Sequence, residues 1–143
     1  MPIVGFNFTN IHSEKKSQIE GKIEIKSKVN ISSVKEEKLP TGKTKTDGLR
    51  FDFEFNLDYE PKIGNINLKG FIYYMDDPKL LKDIFNDWKK KQTISKEVTE
   101  QIINAILYRA SIKAISLAED INLPPHLRMP IVAPNVNPKD YIG

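Results

Sequence analysis

The side chains in this sequence that could carry chemistry are few and scattered. Two histidines, His12 and His126, stand near opposite ends of the chain. One falls at a strand exit and the other in a proline-rich turn, and neither has a partner at metal-ligand spacing. There are no cysteines, which removes disulfides, thiolate metal sites and a cysteine nucleophile together. The stretch LPTGKT, Leu39 to Thr44, ends like a phosphate loop, but such a loop needs a glycine where this chain has Glu37, and a helix directly after it. Asp76 and Asp77 are adjacent carboxylates at a helix start, where capping and the helix dipole account for them. These residues predict neither an enzyme nor a cofactor or metal site.

A different chemistry is available to Lys89, Lys90, Lys91 and Lys96, which cluster around a turn beside Trp88. Basic residues interleaved with an aromatic can contact nucleic acid, although lysines also gather at helix C-termini for electrostatic reasons. The net charge of +3 arises from 22 basic against 19 acidic residues, and only Arg50, Arg109 and Arg128 among the former are arginine. Base reading and phosphate clamping favour the guanidinium fork, so interspersed lysines and acids describe a solvated surface better.

The elements that must position any site divide the chain in two. Residues 1–75 read as antiparallel sheet. Leu49, Phe51, Phe53, Phe55 and Leu57 alternate strictly with Arg50, Asp52, Glu54, Asn56 and Asp58, which puts one face in a core and the other in water. Ile19, Ile23, Ile25, Val29 and Ile31 alternate similarly, with Gly21 and Ser27 as weak positions. A loop over EEKLPTGKTKTDG joins these two strands. Val4, Phe6 and Phe8 make a short first strand. In the fourth, Ile66, Leu68, Ile72 and Tyr74 share one face while Phe71, Tyr73 and Met75 occupy the other, so this strand end is expected to be covered twice.

Residues 76–119 read as helices. Asp77 before Pro78 is an N-cap followed by an N1 proline, opening a helix of about three turns that ends at the lysine run. Ser95, with Glu97 in the first turn, opens a longer helix reaching about Glu119, roughly 37 Å at about 1.5 Å per residue. Its apolar residues form two stripes, one through Val98, Ile102, Ala105 and Ile106, the other through Ile103, Leu107, Ala110, Ala114, Leu117 and Ala118. One sheet face is not expected to cover both. Either another subunit covers the second, or the shorter helix and the tail do.

Residues 120–143 form a proline-rich extended tail. Pro124 and Pro125 remove two successive donors and push the chain out of helical conformation. A strip presenting Leu123, Leu127, Met129, Ile131 and Val132 must therefore lie in a groove of its own chain, a sister subunit or a partner.

Four antiparallel strands, a long apolar helix containing Tyr108 and Arg109, and the string Ile121-Asn122-Leu123-Pro124-Pro125 just after it together resemble the SecB family of export chaperones. The resemblance covers most of the chain as topology and about a dozen residues as sequence. It implies an α+β single domain, residues 1–143, that assembles as a homo-oligomer, dimer or tetramer. It also implies an ATP-independent holdase that keeps unfolded polypeptide clients in apolar surface grooves. Candidate client contacts are Phe71, Tyr73, Met75, Trp88, Ile115, Leu123, Leu127, Met129 and Ile131, and Asp52, Glu54 and Asp58 correspond to the acidic face with which that family meets a translocation motor. The prolines at 130, 134 and 138 exclude the second amphipathic helix that follows the proline string in that family. No run approaches the ~20 apolar residues of a membrane span, and no secretion signal opens the chain, so a cytoplasmic protein is expected. The competing expectation is a basic adaptor that binds RNA or the ribosome through Lys89, Lys90, Lys91 and Lys96.

Overall fold

The computed structural model describes residues 2–130 and residue 139. Strands β1 (Ile3–Lys15), β2 (Glu24–Thr41), β3 (Thr44–Glu60) and β4 (Gly64–Tyr74) precede helices α1 (Pro78–Lys91) and α2 (Lys96–Asp120). The strands form one antiparallel sheet in the order β1-β4-β3-β2. Three hairpin-connected strands are thus joined by β1, which lies beside the last of them in a Greek-key arrangement. Because β1 and β2 occupy opposite edges, residues 16–23 must cross the end of the sheet. That crossing is pinned where the Lys16 and Ser17 amides donate to the Ile63 carbonyl.

The strands are longer than their apolar patterns suggest. The first does not stop at Phe8, because a bulge between Phe8 and Asn10 shifts the register and pairing continues to Lys15. The second starts at Glu24 rather than Ile19, which lies in the crossing segment and is 39 % exposed. The expected loop over residues 36–48 is instead paired strand, closed by a tight turn in which Gly42 supplies a φ of 69°. Pro40 is tolerated there because β2 is an edge strand.

Both helices open on their anticipated caps. The Asp77 carboxylate accepts from the Lys79 amide, and the Ser95 hydroxyl accepts from the Val98 amide. α1 covers β2 and β3, whereas α2 lies across all four strands. The inner face of β3, Leu49, Phe51, Phe53, Phe55, Leu57 and Tyr59, is fully enclosed together with Ile66, Leu68, Ile72 and Tyr74 of β4.

The two stripes of α2 find a simpler explanation than a second neighbour. The buried positions are Val98, Ile102, Ile106, Ala110, Ala114 and Ala118, a strict four-residue step. A helix advances about 100° per residue, so each step of four overshoots a full turn by about 40°. The contact face therefore winds roughly 200° around the helix between Val98 and Ala118. One twisted sheet reaches both stripes, contrary to the expectation that it could not. The double cover expected near Met75 is also absent among the described residues. Phe71 and Tyr73 lie half-buried on the outer face, where the Arg50 guanidinium stacks 4.0 Å from the Phe71 ring centroid.

Gly70 sits where β1, β4 and β3 pack most closely. A Cβ there would collide with the Asn7 carbonyl oxygen and lie 2.8 Å from Phe53 Cζ. Gly70→Ala is expected to destabilise the fold by roughly 2 kcal/mol through this overpacking. The check is a urea titration, which should show a lower midpoint at unchanged slope.

Candidate functional site

α2 presents a face that the sheet covers only at its margin, where Ala105 is partly buried against the core. Ala105, Tyr108, Ile112, Ile115 and Glu119 recur at steps of three and four, so they lie along one side of the helix. Tyr108 is 70 % exposed and Ile112 56 % exposed, which is unusual for side chains of this size in mid-helix. The reason lies beneath them: β3 brings phenylalanines to the shared core and α2 meets them with Ala110, Ala114 and Ala118, leaving bulkier residues on the open side.

Each end of this stripe drops into a depression. Near the N-terminal half, Pro2, Ile3, Gln101, Asn104, Ala105 and Tyr108 enclose about 370 Å³ between α2 and the start of β1. Near the C-terminal end, Ile115, Glu119, Asn122, Leu123, Pro125 and Met129 enclose about 360 Å³. From Ala105 to Glu119 the path measures about 21 Å at ~1.5 Å per residue, enough for about six residues of extended chain at ~3.3 Å each. Its polar lining at the N-terminal end is the neutral pair Gln101 and Asn104, so this depression is lined by apolar and neutral polar groups.

The tail forms one wall. Leu123 is buried in the core, the Tyr59 hydroxyl donates to the Pro124 carbonyl at 2.7 Å, and the Lys15 ammonium donates to the Asn122 carbonyl at 3.3 Å. His126 packs edge-on against the Phe55 ring and lies 3.3 Å from the Ser111 hydroxyl. Burial raises the pKa of the Tyr59 phenol, keeping it the neutral donor this contact needs. The prolines suit the position, since they bring no backbone donor that would be left unpaired against the helix.

The sequence-derived contact residues fall in several places. Ile115 and Met129 line the C-terminal depression, and Leu127 is exposed beside it. Leu123 is a core residue behind the same wall and offers a client no open surface. Phe71 and Tyr73 lie on the other side of the sheet from α2, and Met75 follows them beyond the strand end. Trp88 packs on the core from α1. Its ring therefore does not stand free beside Lys89, Lys90 and Lys91, which occupy the last turn of α1 where the dipole favours cations. Ile131 lies outside the described residues. In the sequence Tyr108 stands out only through its place in the family string. Its exposure follows from the winding of the buried stripe, a three-dimensional feature that the apolar pattern hides.

The acidic residues do share the outer face, and each meets a partner. Glu54 is paired with Lys69 at 3.5 Å, and Asp58 accepts from Asn65 at 2.9 Å. Asp52 accepts from the Ser33 hydroxyl at 2.6 Å and from Arg50 at 3.1 Å, with Lys35 at 3.6 Å. Burial works to raise the Asp52 pKa, but the hydrogen bonds from Ser33 and Arg50 and the charges of Arg50 and Lys35 outweigh it and hold the pKa below its ordinary value. This face is charge-balanced rather than strongly acidic.

Among solved structures, the chain is similar to a SecB-like chaperone from Mycobacterium tuberculosis, determined in complex with a ChAD peptide from the HigA1 antitoxin. The TM-score is 0.51 with 9 % sequence identity, over 94 % of this chain and 91 % of that one. The two share the SecB-like fold, a four-stranded antiparallel sheet followed by two helices. No family model matches the chain, and no curated protein matches it. No helix among the described residues is long and apolar enough to cross a membrane.

The Asp52 cluster gives a pH-dependent expectation. A carboxyl with a depressed folded pKa contributes stability above its unfolded value near 4, and that contribution is lost as pH falls through the folded value. Asp52→Asn should therefore cost about 1 kcal/mol at neutral pH, and the difference from wild type should shrink in acid. Urea titrations at neutral pH and at about pH 3 would show both effects.

Proposed function

We propose that this protein is a SecB-like, ATP-independent holdase that captures extended apolar segments of unfolded polypeptides along the exposed stripe of α2. The observation that carries this reading is the line of Ala105, Tyr108, Ile112 and Ile115 along α2, with Tyr108 and Ile112 exposed and a depression at each end. A surface of this kind gains free energy by covering apolar area from almost any sequence, which is what a holdase requires. The shared fold, in a relative solved with a bound peptide, supports the same reading. No reaction or cofactor is needed for such a role, and a cytoplasmic location suits it.

A homo-oligomer belongs to the same proposal, with β1 as the joining edge. One side of its backbone has no partner strand among the described residues, Val4 and Ile11 are 52 % and 47 % exposed, and residues 3–11 carry no charged side chain. The opposite edge, β2, is guarded by Lys26, Lys28, Lys35 and Lys38 and by a bulge at Ser32. Sedimentation should show a dimer or tetramer, and Val4→Lys should lower its order.

The test of capture is suppression of aggregation of a chemically denatured, unrelated protein. Protection should persist at high salt, since apolar burial drives it. The double variant Tyr108→Ser, Ile112→Ser should keep its stability within about 0.5 kcal/mol of wild type, because both positions are exposed. It should lose about 2 kcal/mol of client binding, or roughly thirtyfold in Kd. Protection that collapses with salt and is insensitive to these substitutions would refute the proposal. Such an outcome would favour phosphate-type contacts through the lysine turn.

A further inference from the structure

We propose that residues 123–130 form a releasable strap over the C-terminal end of the α2 groove, latched by neutral His126 and opened when that imidazole takes up a proton. The proposal rests on the client-binding reading of the groove, and it concerns how the size of that groove is set.

The strap is held by a few separable contacts. Leu123 is buried at its root, and Pro124 receives the Tyr59 hydroxyl. His126 bridges to α2 and β3 through Ser111 and Phe55. Beyond the bend at His126, Met129 lies back beside Ile115 and Pro125. Among the described residues that hold the strap, His126 is the side chain whose charge changes near neutral pH, and lifting it would merge the C-terminal depression with the ground beneath the strap.

The surroundings of the ring favour its neutral form. Nε2 has the Ser111 hydroxyl, but Nδ1 is buried with no hydrogen-bond partner among the described residues. A neutral ring can place its proton on Nε2 and leave Nδ1 as a bare acceptor, whereas an imidazolium must donate from both nitrogens and has an acceptor for one. Among the described residues no carboxylate compensates. On β3 the acids Asp52, Glu54 and Asp58 are on the far face, as their outer-face partners show. On α2 Arg109 and Lys113 are two residues from Ser111 and so point away from it, with Arg109 stacked over Phe6 at 4.7 Å. From β1, Lys15 reaches only the Asn122 carbonyl, and on the strap's own side Glu119, Asp120 and Arg128 are exposed.

Burial accordingly lowers the His126 pKa from its ordinary 6.5. The docked strap binds fewer protons than the released strap. The latch is therefore at full strength above the ordinary histidine value of about 6.5 and weakens as pH falls below it.

The experiment is amide hydrogen exchange on the full-length protein without client, from about pH 7.5 to about pH 5.5, corrected for the intrinsic rate. Exchange at Leu123, whose amide donates to the Ala118 carbonyl at the root of the strap, is expected to rise several-fold on acidification while β3 and the buried side of α2 stay protected. His126→Gln, which cannot take up a proton, should remove this pH dependence. An NMR titration of the imidazole should independently give a midpoint below 6.5. Flat exchange in the wild type, an equal rise in His126→Gln, or a midpoint at or above the ordinary value would overturn the strap. The outcomes separate from those of the holdase reading: a strap that opens in a protein with no protective activity at either pH leaves the latch standing and sinks the holdase. Intact client capture with flat exchange does the reverse.

Discussion

Everything in this molecule depends on how one face of β3 is sealed. Six consecutive inward positions, Leu49 to Tyr59, deliver large apolar and aromatic groups to the middle of the sheet. Burying each is worth about 1.5–3 kcal/mol, and a helix must cross them to collect that energy. Because the sheet supplies the bulk, α2 can approach only with small residues over its C-terminal half, hence Ala110, Ala114 and Ala118. Because the sheet twists, the contact face must wind around the helix. The larger apolar residues of α2 are then left partly outside, and the exposed stripe is a by-product of core packing that became a surface.

The same constraint orders the periphery. The C-terminal segment cannot continue the helix beyond Asn122, where φ reaches 58° and two prolines follow. It turns back onto the edge of the same core, where Tyr59 and Phe55 at the far end of the β3 row hold it through Pro124 and His126. This docking explains the apolar, proline-rich character of residues 123–129: Leu123 completes the core, Pro124 and Pro125 bring no orphaned donors, and Met129 contributes to the groove. Burial of the core, the wall of the groove and its latch are consecutive consequences of one row of side chains.

Features that depend on neighbours in sequence were legible from the residues. Asp77-Pro78 and Ser95 mark the helix starts, and the alternation from Leu49 to Asp58 marks a half-buried strand. Features that depend on distant partners were hidden. The distal hairpin of β2 and β3 carries Glu36, Glu37, Lys38, Lys43 and Lys45 with a proline and a glycine, all loop-like in composition, yet strand pairing across a tight turn holds it. β1 looked short because its bulge changes which parity faces inward. Most of the groove was hidden as well: Ile115 and Met129 could be found from their apolar type, but Phe71 and Tyr73, equally apolar, belong to the opposite face. Their parity against Ile66, Leu68, Ile72 and Tyr74 was the signal that separates them.

In the proposed holdase the α2 stripe, and no other surface, meets polypeptide. The most direct measurement is a backbone and methyl NMR titration of the protein with an unfolded client. Perturbations should concentrate at Ala105, Tyr108, Ile112, Ile115 and Met129, with the outer sheet face and the lysine turn after Trp88 left unchanged. Perturbations centred on Phe71 and Tyr73 or on Lys89 to Lys91, or none at saturating client, would contradict the account.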